Sequence, residues 1–107
     1  MSDKNIESRN IEWEKVKEDI LLKHLIRDER DFQIDIMKLE SNRQYPSHIH
    51  SWKEYIYVLK GSMSDESGEY VVGDLIVNYR GSRHSVKSGV KGCEFLVIWD
   101  GNLLPED

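Results

Sequence analysis

Short extended segments follow one another along almost the whole of this chain, and they restrict its fold class more than any other feature. Stretches rich in β-branched and aromatic residues alternate with runs of Gly, Asn, Asp and Ser. The segments that are typical of strands are residues 20–27, 32–39, 45–50, 54–60, 62–64, 69–72, 75–78, 83–87 and 93–99. Many short strands at close spacing predict an all-β sandwich or barrel. The sequence contains no alanine, the best helix former, which argues further against an α-helical fold.

Turn chemistry separates these segments. Turns are predicted at residues 27–30, 41–43, 64–68 and 88–92. Gly61, Gly73 and Gly81 are expected where the chain turns sharply or adopts positive φ. Residues 32–37 alternate between apolar and mostly polar side chains, which is typical of a half-buried strand. Residues 11–19 fit either a short helical turn or a first strand.

Length and charge exclude several classes of protein. With 107 residues the chain is expected to form one domain, over residues 13–107, preceded by a flexible arm over residues 1–12. A net charge of -5 argues against nucleic-acid binding. No stretch is apolar enough to span a bilayer or to act as a secretory signal, so a cytoplasmic protein is expected. The single cysteine, Cys93, excludes an intramolecular disulfide and fits a reducing compartment.

Three histidines and one glutamate are the candidate metal ligands. His48, His50 and Glu54 stand at even spacings in a strand-like stretch, and His84 follows in a later segment. Because side chains alternate between the faces of a strand, the first three could point the same way. With His84 from a neighbouring strand they complete a nitrogen and oxygen set that iron, zinc, manganese or nickel accepts. We therefore predict one divalent transition metal per chain.

The glycines around these ligands complete two sequence motifs. The first is His48-x-His50-x3-Glu54-x6-Gly61, and the second is Gly73-x5-Tyr79-x-Gly81-x2-His84. Both resemble the motifs of the cupin superfamily, which are small jelly-roll barrels, or double-stranded β-helices, that hold one metal ion inside. Tyr79 stands where the family usually has Pro, and Ser88 where it usually has Asn. Neither departure removes a ligand.

The second half of the chain is similar to a narrower group. Residues 68–74, 80–85 and 88–93 resemble the cupin domain of ChrR-type anti-sigma factors and of stand-alone relatives that include acetylacetone-cleaving dioxygenases. The resemblance implies either a metal-dependent dioxygenase of a small oxygenated organic molecule or a metal-binding regulatory or sensor module without catalysis. Residues 1–40 contain no cysteine and only one histidine, His24, which argues against the zinc-containing sigma-binding segment of ChrR-type proteins. Small cupins commonly pair, so a homodimer is expected, with Trp13, Tyr55 and Tyr57 as candidate contacts.

Several assignments stay open at this level. Glu54 is expected to ligate the metal directly, but a carboxylate can instead orient a ligating imidazole. Cys93 is read as a small buried residue, with a place beside the metal as the alternative. Parity from Glu54 places Ile56 and Val58 toward the interior, which predicts an apolar pocket suited to a small organic ligand. Candidates for a substrate contact near the ligands are Tyr45, Trp52, Tyr57, Tyr79, Arg43, Arg80 and Arg83.

Overall fold

The structure is a computed structural model that describes residues 5–28, 31–50 and 52–101, and within them all side chains except those of residues 28 and 46–49. The strands are β1 (Glu14–Lys17), β2 (Ile20–Asp28), β3 (Phe32–Leu39), β4 (Gln44–Ile49), β5 (Lys53–Asp65), β6 (Gly68–Val71), β7 (Leu75–Asn78) and β8 (Arg83–Asp100). The only helical element in these ranges is a 3-10 turn at Ser8–Asn10. The all-β prediction is confirmed. None of the described residues belongs to a helix with the length and apolarity needed to cross a membrane.

The strands form one antiparallel sheet that closes on itself into a jelly-roll barrel. Its order is β1-β2-β3-β8-β5-β6, with β4 paired to β8 and β7 paired to β5. The two long strands, β5 and β8, connect most of the sheet because each pairs with three others. Residues 11–19, which the sequence left undecided, contribute the short strand β1.

Two sequence predictions need correction along the long strands. Segments 54–60 and 62–64 are one strand, and the turn predicted at residues 88–92 is wrong because β8 continues through it. The glycines there bend the strand instead of reversing it, since Gly92 has a φ of 75° within β8. Turns at residues 41–43 and 64–68 are confirmed, and residues 29 and 30 of the turn predicted at 27–30 lie outside the described residues.

The barrel interior is filled by the residues that share the inward face of each strand. Its buried core consists of Leu39, Ile56, Val58, Met63, Ile76, Cys93, Phe95 and Val97. The parity prediction for β5 is confirmed, because Ile56 is 5% exposed and Val58 0%, whereas Tyr57 is 44% exposed. Register explains the pattern: Ile56 stands opposite both Val97 and Ile76, and residues directly opposite in an antiparallel sheet share a face. The same rule turns Cys93, Phe95 and Val97 inward.

Strand β3 turns its more polar side toward the interior. Asp35 stands opposite the inward Val97, and Gln33 stands opposite Trp99. Asp35 is 0% exposed, whereas Ile34 and Ile36 are half-buried on the outer side. The alternation that predicted a half-buried strand is therefore present, with polar groups on the face that lines the barrel.

The glycine predictions are confirmed, and at one of these residues two backbones approach closely. Gly61 (φ 71°), Gly73 (φ 95°) and Gly81 (φ 91°) all have positive φ. A Cβ on Gly61 would lie 2.1 Å from the carbonyl oxygen of Gly92, whereas a Cβ on Gly73 would meet nothing within 4 Å. Strands β5 and β8 can therefore pair this closely only while residue 61 has no side chain.

We predict that Gly61→Ala destabilises the protein more than Gly73→Ala. Both variants carry the cost of an L-residue at positive φ, on the order of 1 kcal/mol, but only Gly61→Ala adds a backbone clash. The free energy of unfolding from urea titration should fall by at least about 2 kcal/mol more for the first variant than for the second. Equal losses would contradict the close backbone contact at Gly61.

Candidate metal centre

His50, Glu54 and His84 lie close together at one end of the barrel interior. The Nδ1 atom of His50 is 3.6 Å from Glu54 Oε1, and the ring centroids of His50 and His84 are 5.3 Å apart. The side chains of His50 and Glu54 are only 7% and 10% exposed, and that of His84 is 20% exposed. Three of the four predicted ligands therefore occupy one largely buried cluster.

The fourth predicted ligand, His48, is placed by its strand pairing. It stands opposite His84 in the register between β4 and β8, past an irregularity that follows Tyr45. Its side chain lies outside the described residues, so its contribution to the metal site stays a prediction.

Glu54 is held in place by two donors from other strands. The Asn78 amide donates to Oε1 at 2.9 Å, and the Trp99 indole N–H donates to Oε2 at 2.8 Å. Register brings these residues together, because Glu54 on β5 stands opposite Asn78 on β7 and Trp99 on β8. Each carboxylate oxygen has a second lone pair, so this arrangement fits both direct ligation and a role in orienting His50.

A second carboxylate faces the other histidine. Asp65 Oδ2 lies 3.5 Å from His84 Nδ1, while Asp65 Oδ1 accepts hydrogen bonds from the Ser67 N–H and the Tyr70 hydroxyl. Among the described residues, the ligand-type atoms that all lie within 4.8 Å of one another belong to Asp65, Glu66 and His84, so this trio could itself hold a cation. The exposed Glu66 is occupied by the Ser85 hydroxyl and N–H, and these hydrogen bonds lower the pKa of its carboxyl.

The cluster opens into a cavity of about 690 Å³. Its wall is mostly apolar, and it includes Ile20, Leu22, Met37, Leu39, Ile56, Met63, Ile76, Val86 and Phe95. The polar groups lie at His50, Glu54, Asn78, Asp65 and His84, and on the β2 and β3 side at Arg27, Gln33 and Asp35. A largely apolar cavity of this size with a few convergent polar groups is typical of a site for a small organic ligand.

The other candidates divide into lining and surface residues. Tyr45 and Trp52 line the cavity. Tyr57 and Tyr79 are exposed on the outside at 44% and 62%, and so are the three arginines, Arg43, Arg80 and Arg83.

The cysteine lies in the apolar core. Cys93 is 3% exposed, and burial, with a smaller contribution from the charge of Glu94, raises the pKa of its thiol to about 11. The thiol is therefore protonated near neutral pH, and the interpretation as a small buried residue is confirmed.

Sequence reasoning missed five residues around this cluster. They are Asn78 and Trp99, which hold Glu54, Asp65 beside His84, and the inward polar pair Gln33 and Asp35. Of these five residues, only Asp65 could have been recognised from the sequence, because it is a carboxylate at the end of a strand between the two motifs. The partners of Glu54 are 24 and 45 residues away along the chain, and no local pattern connects them.

A jelly-roll barrel with histidines and a carboxylate facing its interior defines the cupin class of protein. Comparison of the sequence with known families narrows this class. The sequence model of the ChrR cupin-like domain matches residues 1–102, and the chain belongs to this family. No protein with a curated function matches the chain.

Solved structures agree with this fold. An RmlC-like cupin from Ralstonia eutropha JMP134 has a TM-score of 0.82 at 17% identity, over 94% of this chain and 70% of the other. A chain of the Rhodobacter sphaeroides complex of SigE with the anti-sigma factor ChrR gives 0.76 at 18% identity, over 86% of this chain and 51% of the other. A candidate acetylacetone dioxygenase from Methylibium petroleiphilum PM1 gives 0.78 at 14% identity, over 92% of this chain and 77% of the other.

We predict that Trp99→Phe lowers stability by about 1–3 kcal/mol, because it leaves Glu54 Oε2 buried without its donor. Trp13→Phe is the matched control: Trp13 is half-buried beneath the ammonium of Lys23, 4.8 Å from the ring centroid, and phenylalanine keeps an aromatic face there. Urea unfolding of both variants measures the difference. If the two losses are equal, the indole hydrogen bond does not hold the glutamate.

Proposed function

We propose that this protein binds one divalent transition metal through His48, His50, Glu54 and His84. What supports this is the set of contacts around the two described candidate histidines: Glu54 Oε1 lies 3.6 Å from His50 Nδ1, and Asp65 Oδ2 lies 3.5 Å from His84 Nδ1. Asp65 favours the His84 tautomer with the proton on Nδ1, which leaves Nε2 for the metal, whereas Glu54 is close enough to His50 to share its metal ion as a ligand. The set of imidazoles and a carboxylate suits iron, zinc, manganese or nickel, and this donor chemistry does not choose among them.

We further propose that the protein is an Fe(II)-dependent dioxygenase of a small oxygenated organic molecule such as a β-diketone or an enol. The observation that carries this proposal is the mostly apolar cavity that opens directly from the ligand cluster. An Fe(II) ion held by these four ligands would have two open positions for a chelating substrate or dioxygen, and it would supply the redox chemistry that lets dioxygen react with the substrate. Cleavage of one carbon–carbon bond then places both atoms of O2 in the products, a carboxylic acid and a dicarbonyl compound, and needs no reductant.

The residues of this chain have separate roles in such a reaction. Ile56, Ile76 and Phe95 form the apolar wall that keeps water from the substrate. Asn78 and Trp99 fix the orientation of the Glu54 carboxylate, so that it needs no rearrangement when a ligand arrives.

A regulatory or sensor module is the second candidate function. It is favoured by the family to which the chain belongs and by the likeness to the structure that contains the anti-sigma factor ChrR. A sensor would bind the metal with no turnover, and a change of metal or oxidation state would alter its affinity for a partner protein. Turnover with a chelating substrate separates the two candidates.

We predict that protein reconstituted anaerobically with Fe(II) binds one metal ion per chain and consumes O2 with a β-diketone. In His50→Ala, metal content and O2 uptake should both be lost, because the variant lacks a buried ligand. Glu54→Gln tests the carboxylate: loss of a direct ligand abolishes stoichiometric binding, whereas an orienting role weakens affinity about 10–100-fold. The exposed carboxylate variant Glu69→Gln is the matched control and should behave as wild type.

Elemental analysis measures the bound metal and an oxygen electrode measures O2 uptake, and together they distinguish the two candidate functions. Tightly held zinc without O2 uptake in any metal form would favour the sensor over the dioxygenase. A protein that holds no metal under any loading would contradict the metal site itself.

We also propose a homodimer that forms through the outer face of the sheet. This outer apolar face consists of Ile34, Ile36, Tyr55, Tyr57, Leu75, Val77, Leu96 and Ile98, which stand in two adjacent rows across β3, β8, β5 and β7. Tyr57 is 44% and Leu75 61% exposed, so the face is only partly covered within one chain. Of the expected aromatic contacts, Trp13 and Tyr55 are shielded in part by lysines, which leaves Tyr57 as the main candidate.

We predict that the protein is a dimer by light scattering and that Tyr57→Glu makes it monomeric, because the variant places a charge in the centre of the outer apolar face. Val90→Glu, at a 77% exposed valine outside this face, is the matched control and should stay dimeric. A wild-type monomer over a wide concentration range would contradict the proposal.

A further inference from the structure

Asp35 is a deeply buried carboxylate to which the proposed metal site gives no role. Its side chain is 0% exposed and lines the cavity from β3. Oδ1 lies 3.1 Å from His24 Nδ1, but Oδ2 is buried and has no hydrogen-bond partner among the described residues. A buried acceptor without a partner destabilises a protein, and a charged one does so more strongly. If Asp35 served only to orient His24, Oδ1 alone would be used, and the buried position of Oδ2 would have no role.

A second polar group stands beside it on the same face. Gln33 also lines the cavity, and its Oε1 atom is likewise buried without a hydrogen-bond partner among the described residues. A register shift between His24 and Ile26 keeps both His24 and Arg27 opposite inward residues, Asp35 and Gln33 respectively. Two buried acceptors are thereby placed next to each other, facing the same cavity.

The register relates this pair to the candidate metal centre. Gln33, Trp99, Glu54 and Asn78 form one inward row across β3, β8, β5 and β7. Asp35 belongs to the next row, with Val97, Ile56 and Ile76. Because β3 and β5 are separated by two strand spacings, Asp35 and Glu54 face the same cavity with their backbones roughly 10 Å or more apart. A ligand the size of one ring can contact both.

We propose that Asp35, assisted by Gln33, accepts a hydrogen bond from a hydroxyl group at the far end of a ligand whose other end carries two adjacent oxygens directed at the metal centre. This inference deepens the proposed function and rests on it for the chelating end. We take the donor to be a neutral hydroxyl, because a carboxylate has no proton to donate and is repelled by Asp35, while Arg27, which contacts His24 at 2.9 Å and also lines the cavity, already brings a positive charge to this side. His24 is a positioning residue that fixes the Asp35 carboxylate through Oδ1. The substrate class is therefore a small hydroxylated enol or diketone.

Two hydroxypyranones form a matched pair of probes for this subsite. Kojic acid and allomaltol both chelate metals through the same ketone and hydroxyl, and they differ only in a hydroxymethyl or a methyl group across the ring. Calorimetric titration of the zinc-loaded protein should show kojic acid binding about 10–100-fold more tightly, the range expected for a hydrogen bond to a charged acceptor. Asp35→Leu should reduce this ratio to about one by weakening kojic acid alone.

The ratio is measured within each protein, so a general loss of stability does not imitate the effect. If Asp35→Leu does not fold, Asp35→Asn must lower the ratio by itself, and an unchanged ratio would overturn the proposal. Equal affinities in zinc-bound wild type would refute the Asp35 subsite and leave the metal centre intact. If zinc does not bind, the metal proposal fails, and Asp35 is tested by thermal shifts of the metal-free protein with kojic acid and allomaltol. A preference for kojic acid that Asp35→Leu removes supports the subsite. No preference, or no binding of either compound, overturns it.

Discussion

The pairing of β8 is the constraint on which the rest of the barrel depends. This one strand aligns with β4 over its first part and with β3 over its second, while β5 pairs with both parts. Gly89 and Gly92 lie between these two parts, where a Cβ would meet Ser62 Oγ at 2.0 Å and the Leu39 carbonyl oxygen at 2.6 Å, and Gly92, with a φ of 75°, bends the strand. Ser88, 1% exposed, secures the start of the bend, since its hydroxyl accepts the Arg43 N–H and donates to the Glu40 carbonyl.

The ligand cluster follows from this pairing. One end of β8 carries His84 opposite β4, and the other end carries Trp99 opposite Glu54 on β5. The bend therefore determines that a histidine and the donor that holds a carboxylate, 15 residues apart on the same strand, contribute to one cavity. Bulky side chains at the bend would move His84 and Trp99 apart without changing the chemistry of either side chain.

Much of this arrangement is readable from sequence, and the exceptions have physical reasons. Strand positions were predictable because β-branched and aromatic residues are concentrated there, and the inward placement of Ile56 and Val58 followed from parity. The bend at residues 88–92 resembled a turn because glycine serves both structures. On β3 the alternation of side chains predicted a strand but did not show which side chains face the interior. The reason is that Ile34 and Ile36 lie on an outer face that is itself apolar. The hydrogen bonds of Glu54 depend on register between distant strands, which no short window of sequence contains.

Cys93 makes the core of the barrel sensitive to local opening. Its sulfur is the only thiol in the chain, and it lies in the core where β5 and β8 pair closely, with Gly61 as its partner in register. A thiol reagent reaches it only when the strands around it separate. The rate at which the thiol is labelled therefore reports the free energy of that local opening. If this free energy is smaller than that of global unfolding, β5 and β8 separate locally, and if the two are equal, the barrel unfolds as one cooperative unit.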